Sequence, residues 1–359
     1  MKKILKQKIK HVVILVTILT GIITNNSFSA FKDIGYGARP LGMGGAFVAL
    51  SDDFNGLLSN PSGVAEIGNP EVGFMYSKLF MGLEEVNLSL GYAGIVYPIT
   101  DTIGTIGVSW NGFVSEKQYK EDIVGITYAK KFELKKKIVT IKKNNNGFGL
   151  RRNKTLEEEI ITYETMSILS CGINIKYLSH TYELDKRTIN DPVFATGNSK
   201  DNVGIDFGTR WSPQKGPLSS FAFGLAVKNI NQPDVGLDSK DIVPMETSFG
   251  MVYQIPEFSL IDVCCNSFLS LEASYRVQEW GKDTDKIDYK VGLENYIGEV
   301  VILRLGGNST DVSFGLGLKL PEKFNINLQF DYALLFPIQI KESTGSHRLA
   351  IVYRFAESN

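Results

Sequence analysis

Three histidines, three cysteines and the adjacent carboxylates Asp52 and Asp53 carry the most obvious chemistry in this chain. His11, His180 and His347 are scattered. No His-Glu-x-x-His pair, nucleophile elbow or phosphate-binding loop accompanies them. Cys171, Cys264 and Cys265 lack metal-ligand spacing, and adjacent cysteines rarely bridge each other, so all three read as small apolar residues. Asp52 and Asp53 would need a partner base or further ligands to do acid–base or metal chemistry, and the sequence supplies neither. A position near a helix N-terminus is the simpler reading, because acids are favoured at that end of the dipole. No catalytic residue, metal site or cofactor is expected, and the chain reads as no enzyme.

The N-terminus reads as a secretory signal over 1–29. Lys2, Lys3, Lys6, Lys8 and Lys10 precede an apolar run from Val12 to about Ile23, then the polar stretch Thr24–Ala30. Cleavage after Ser29 sets Ser27 and Ser29 at the two small-residue positions. Cleavage after Ala30 would set bulky Phe28 at the outer one. The apolar run is short for a span of ~20 residues, and no cysteine stands at the cleavage region to carry a lipid. The formal net charge of -1 over 359 residues, without basic–aromatic interleaving, argues against nucleic acid. Mean hydropathy near zero is too low for a helical membrane protein. It suits a barrel, where only alternate strand residues meet lipid.

From Glu71 onward the chain alternates. Phe324, Ile326, Leu328, Phe330 and Tyr332 are apolar, while Asn325, Asn327, Gln329 and Asp331 between them are polar. Leu269–Val277 and Val312–Leu320 repeat the pattern. Successive side chains of a strand point to opposite faces, so each segment has one greasy and one polar face. Alternation alone fits a soluble sandwich or a membrane barrel. Export, and segment lengths near the ~9–11 residues that span a bilayer at a tilt, favour the barrel. About fourteen strands are expected over 71–356, an even number as bacterial barrels have. Short connections alternate with longer ones, as periplasmic turns and outer loops do. The exception is 134–164, where Lys135–Lys137, Lys142 and Lys143 face Glu157–Glu159 across an Asn-Gly element; it reads as a charged hairpin extending two strands. On this reading Glu272 and Arg276 point into the lumen, and Tyr275 and Phe314 to lipid.

Residues 30–70 are different. Gly42, Gly44 and Gly45 allow backbone to approach backbone. Asn60 suits a helix cap, and Pro61 the first helical position, with Gly63 following. The segment reads as a compact plug of short helices and turns, packed on the wall or in the lumen. Asp52 and Asp53 would then need lumen-facing cations, and Arg210, Arg276 and Lys319 are the candidates.

The run Gly37-Ala38-Arg39-Pro40-Leu41-Gly42-Met43-Gly44-Gly45-Ala46-Phe47, with Asp52-Asp53 and Asn60-Pro61-Ser62-Gly63, resembles the N-terminal signature of FadL-like outer-membrane proteins, in particular the PorV/PorQ group. That group has Asn-Pro-Ala-Gly where Ser62 stands here. The resemblance implies an all-β, fourteen-stranded transmembrane barrel in the bacterial outer membrane with its N-terminal segment plugging the lumen. It implies a component of a type IX-like secretion system that handles cargo domains. The alternative is a channel for hydrophobic small molecules such as long-chain fatty acids. The terminal strand, ending in Tyr353 and Phe355, resembles the signal read by the barrel assembly machinery. Leu79-Phe80-Met81, Ile242–Met245 and Leu335-Phe336-Pro337 are expected in apolar outer loops that meet ligand or cargo. Outer-membrane lipid is the remaining expected partner.

Overall fold

The computed structural model describes residues 31, 34–84, 86–116, 118–144, 156–186, 188–260, 263–276, 286–321, 326–340 and 342–355. Fourteen strands close into one antiparallel barrel in which each pairs with its sequence neighbours and the last pairs with the first. They are β1 Glu71–Met81, β2 Leu88–Thr100, β3 Gly104–Ser115, β4 Tyr119–Asn144, β5 Leu156–Tyr182, β6 Ser199–Pro213 and β7 Phe221–Lys228. The second half is β8 Glu246–Leu260, β9 Val263–Arg276, β10 Lys286–Ile297, β11 Val301–Gly307, β12 Asp311–Lys319, β13 Asn327–Pro337 and β14 Gly345–Arg354. Closure sets Glu71 opposite Arg354.

The faces are inverted relative to a water-soluble sheet. On β3, Ile106, Val108 and Trp110 are exposed while Thr105, Ser109 and Asn111 are buried. On β13, Gln329 and Asp331 are buried and Phe330 is exposed; on β9 and β12, Glu272 is buried while Tyr275 and Phe314 are exposed. An apolar belt outside and polar groups inside is the arrangement of a barrel in lipid. Phe324 and Asn325 lie outside the described residues.

With both barrel ends on the periplasmic side, the longer connections 183–198 and 229–245 fall outside the cell, as bacterial barrels place them. The β4–β5 ladder runs in the other direction. β3 leaves β4 at Ala129 and β6 leaves β5 at Ser167, yet β4 and β5 stay paired from Leu134↔Ser167 to Asn144↔Leu156. At 3.4 Å per residue this ribbon reaches about 30 Å past the wall. The expected turn around Asn145-Asn146-Gly147 lies outside the described residues.

Candidate functional site

The barrel is filled by its own N-terminal segment. Two short helices, α1 (Ala38–Gly42) and α2 (Gly56–Ser59), precede a 3-10 turn over Pro61–Glu66. Gly44 and Gly45, at φ 66° and 81°, reverse the chain after α1. Asn60 caps the 3-10 turn by accepting from the Ser62 amide at 3.1 Å, with Pro61 in the first position. Its side-chain amide also donates to Val48 O at 2.9 Å and to Thr209 O on β6 at 3.1 Å. One residue thus folds the segment and fastens it to the wall.

The apolar interior belongs to this segment. Phe54, Leu57 and Val64 pack with Met75, Leu90 and Tyr92 of β1 and β2, and Met43, Phe47 and Leu50 pack with Ala222 and Val252 of β7 and β8. Each such side chain, fully buried, contributes roughly 1.5–3 kcal/mol. The wall is thinned where the segment touches it. Facing glycines on paired strands, Gly73↔Gly94, Gly172↔Gly208 and Gly292↔Gly306, give Phe54, Pro61 and Met43 their space. A side chain at Gly44 would strike the Gly307 backbone, and one at Gly42 would come within 3.0 Å of Gly315 Cα. Gly63 faces Ser51 inside the segment, and Gly45 faces the Lys290 stem.

At the centre lies an ion network. Arg39 donates from Nε to Glu294 Oε1 at 2.8 Å and from Nη2 to Glu294 Oε2 at 2.8 Å. Its Nη1 pairs with Asp52 at 2.7 Å and Asp53 at 2.9 Å. Glu294 also accepts from Arg304, which reaches Asp331 at 2.7 Å. Gly317 makes that reach possible: a Cβ there would sit 2.7 Å from Asp331 Oδ1. The segment is further held on β9, where Glu272 accepts from the Phe47 and Val48 amides at 2.9 and 3.0 Å. On β1, Glu71 accepts from the Phe54 amide at 3.0 Å, and on β14 Arg348 donates to Ile34 O at 3.1 Å.

The expected partners of the carboxylates are therefore corrected. Arg210 holds Ala49 O and Glu66, Arg276 holds Glu246, and Lys319 lies over the Tyr296 ring at 4.8 Å. Asp52 and Asp53 grip Arg39, a residue of their own segment, because α1 places that guanidinium between them and Glu294. Asp53 also stands at the N-terminal approach to α2, two residues before its cap Asn55, whose amide it accepts at 2.9 Å. Arg39 was the residue that sequence reasoning missed. Its signal was a lone cation in an otherwise apolar run thirteen residues before two acids.

Leu79-Phe80-Met81 and Leu335-Phe336-Pro337 are strand ends of β1 and β13 rather than loops. Leu79 and Leu335 point inward and are buried, while Met81 and Phe336 are exposed. Phe80, Leu335 and Pro337 line a cavity of about 350 Å³ on the outer side of the segment. One side of this cavity is apolar, with Ile34, Tyr36, Leu41 and Leu58. The other carries Lys228, Glu246, Arg276, Asp288 and Lys290. Among the described residues no cluster of ligating side chains could hold a metal ion.

The family model of the type IX secretion system membrane protein PorP/SprF matches residues 160–353, more than half of the chain. The match starts at residue 160, so the PorV/PorQ-like N-terminal run lies outside it. No curated protein matches the chain in sequence. Among solved structures, the toluene transporter TbuX of Ralstonia pickettii superposes with a TM-score of 0.51 at 10% identity, over 91% of this chain and 100% of that one. The deltaS2S3 mutant of the monoaromatic hydrocarbon channel TodX gives 0.50 at 11% identity, over 90% and 99%. A FadL homologue of Pseudomonas aeruginosa gives 0.48 at 11% identity, over 89% and 98%. At these identities the likeness is one of fold: a FadL-like barrel of the bacterial outer membrane.

Proposed function

The chain belongs to the PorP/SprF family of type IX secretion system membrane proteins, and on that premise we propose that it is a sealed docking barrel that handles exported cargo at the outer face. The observation that carries this is the filled lumen. Buried ion pairs and backbone contacts fasten the inner segment to β1, β6, β9, β10 and β14. A segment so held is a plug, and cargo is handled at the rim. The exposed Met81 and Phe336, with Ile242 of the 229–245 loop, offer apolar contact there. The role needs no catalytic step. Tyr353 of β14 and Phe355 just past its end serve recognition by the barrel assembly machinery.

A second reading, uptake of hydrophobic small molecules, draws on the apolar side of the outer cavity. The charged side disfavours it, because a hydrocarbon seated there would strip water from Lys228, Glu246 and Arg276 without offering hydrogen bonds. Affinity capture of the barrel from detergent extracts decides between them. Co-purified C-terminal domains of secreted proteins support docking. A bound apolar lipid without such domains overturns it.

A further inference from the structure

The mouth of the lumen holds a buried carboxylate that no cation among the described residues meets. Glu121, at the outer end of β4, is 7% exposed. Its carboxylate accepts from Tyr119 Oη at 2.7 Å and from the backbone nitrogen of Phe31 at 2.9 Å. No lysine or arginine forms an ion pair with it among the described residues. A carboxylate held away from water needs an opposite charge, and neutral donors replace that only in part.

Phe31 is built in as an anchor. Its ring packs with Leu178, Val235 and Val243 and stands edge-on to His180 at 5.7 Å. Yet its φ is 54°. A bulky residue rarely adopts this left-handed conformation, because Cβ crowds the carbonyl of the preceding residue. If no residue precedes Phe31, the crowding vanishes. The nitrogen that touches Glu121 then becomes an α-amine, protonated at neutral pH with an ordinary pKa of about 8.

We propose that maturation of the exported chain cuts the Ala30–Phe31 bond, and that the new α-ammonium of Phe31 is the counterion of Glu121. The step is a hydrolysis by a signal peptidase. Water supplies hydroxyl to the Ala30 carbonyl and a proton to the departing nitrogen, which takes a second proton from solvent. The small-residue rule alone prefers the bond one residue earlier, with Ser27 and Ser29 at its two positions. The lack of a counterion among the described residues, the seated ring and the left-handed backbone all point instead to Phe31. The inference stands independently of the docking role.

The test uses the full chain, exported with its own signal and purified from outer membranes. Intact mass and N-terminal peptide mapping should give a chain starting at Phe31; a start at Ala30 or any other residue overturns the proposal. An amine-reactive reagent at neutral pH then reads the pairing. The N-terminal peptide of the folded barrel should label at least tenfold more slowly than after heat unfolding, and Glu121→Gln should remove most of that protection. Should Glu121→Gln fail to assemble, the folded-to-unfolded ratio of the wild-type chain still decides. Equal labelling in the two states overturns the pairing.

Discussion

Arginine, lysine and carboxylates build two regions of this molecule in opposite ways. In the lumen, Arg39, Glu294, Arg304 and Asp331 are withdrawn from solvent and each touches another. On the β4–β5 ribbon, the register sets Lys142 opposite Glu158 and Lys143 opposite Glu157 beyond the barrel wall. Both regions set cations against carboxylates, and the consequences differ. A buried pair that loses one partner leaves a stranded charge, which costs about 3–5 kcal/mol. An exposed pair is worth ~0.2–1 kcal/mol. The lumen is therefore specified by its charges, while those of the ribbon are expected to count for less.

The sharpest way to break this comparison is at Arg39. Arg39→Leu takes the guanidinium from Asp53, leaves Glu294 to Arg304 alone, and should destabilise the plugged state by about 3–5 kcal/mol. The heat-modifiable transition in gels should fall, and planar-bilayer recordings should show larger openings as the plug leaves. Arg39→Lys should recover little, since one ammonium cannot reproduce the two parallel bonds to Glu294. Unchanged conductance and transition temperature would show that the network does not hold the segment. Next in size is Gly44→Leu, which meets the Gly307 backbone and requires φ 66° of a residue with a Cβ. Overpacking costs typically 1–3 kcal/mol, so either a partly expelled plug or poor assembly is expected, read by the same two measurements. Normal assembly with wild-type conductance would mean that the segment can move off β11.

Much of this was legible in the sequence, and the reasons are local. Alternation in segments such as Val312–Leu320 marks a strand and its two faces whatever surrounds it, and all fourteen strands appear where that pattern predicts them. Asn60-Pro61 likewise announces its own capped turn. Partners across the lumen were not legible. Arg39 meets Glu294, 255 positions away, only because the barrel closes. Choosing among Arg210, Arg276, Lys319 and Arg39 as the mate of Asp52 and Asp53 needs that closure. The facing wall glycines were visible as small residues on polar faces, but their pairing depends on strand register. Leu79 and Leu335 read as loop residues because an apolar strand end facing a plug looks, in sequence, like an apolar loop.

A smaller effect belongs to the outer loop, between the two extremes in exposure. Asp234 accepts from the amides of Gly236 and Asp241, both at 3.0 Å. These bonds favour the carboxylate and hold it below its ordinary range. A carboxyl lowered on folding adds stability above its unfolded pKa and loses it as pH falls through the folded one. Hydrogen exchange at Gly236 and Asp241, taken relative to an unstructured reference peptide, should therefore quicken only at acid pH. Asp234→Asn should remove that pH dependence. Exchange independent of pH in the wild-type chain would place this carboxylate with the ribbon charges.

The smallest effect is expected at the ribbon itself. Among the described residues, Ile138–Asn144 and Leu156–Thr162 pair only with each other, past the points where β3 and β6 end, so removing 138–162 exposes no wall strand. The ladder above Leu134↔Ser167 stays closed by its own neighbours. Joining Lys137 to Tyr163 through a short Asn-Gly turn should leave the heat-modifiable transition within about 0.5 kcal/mol of wild type, as for surface changes away from packed features. Reversing Lys142 and Lys143 to Glu should cost ~0.2–1 kcal/mol per pair, and only within the ribbon. A deletion that abolished barrel assembly would break the comparison from its other side. The ribbon would then be a folding element with the same standing as the lumenal network, and its charges would need partners beyond their cross-strand neighbours.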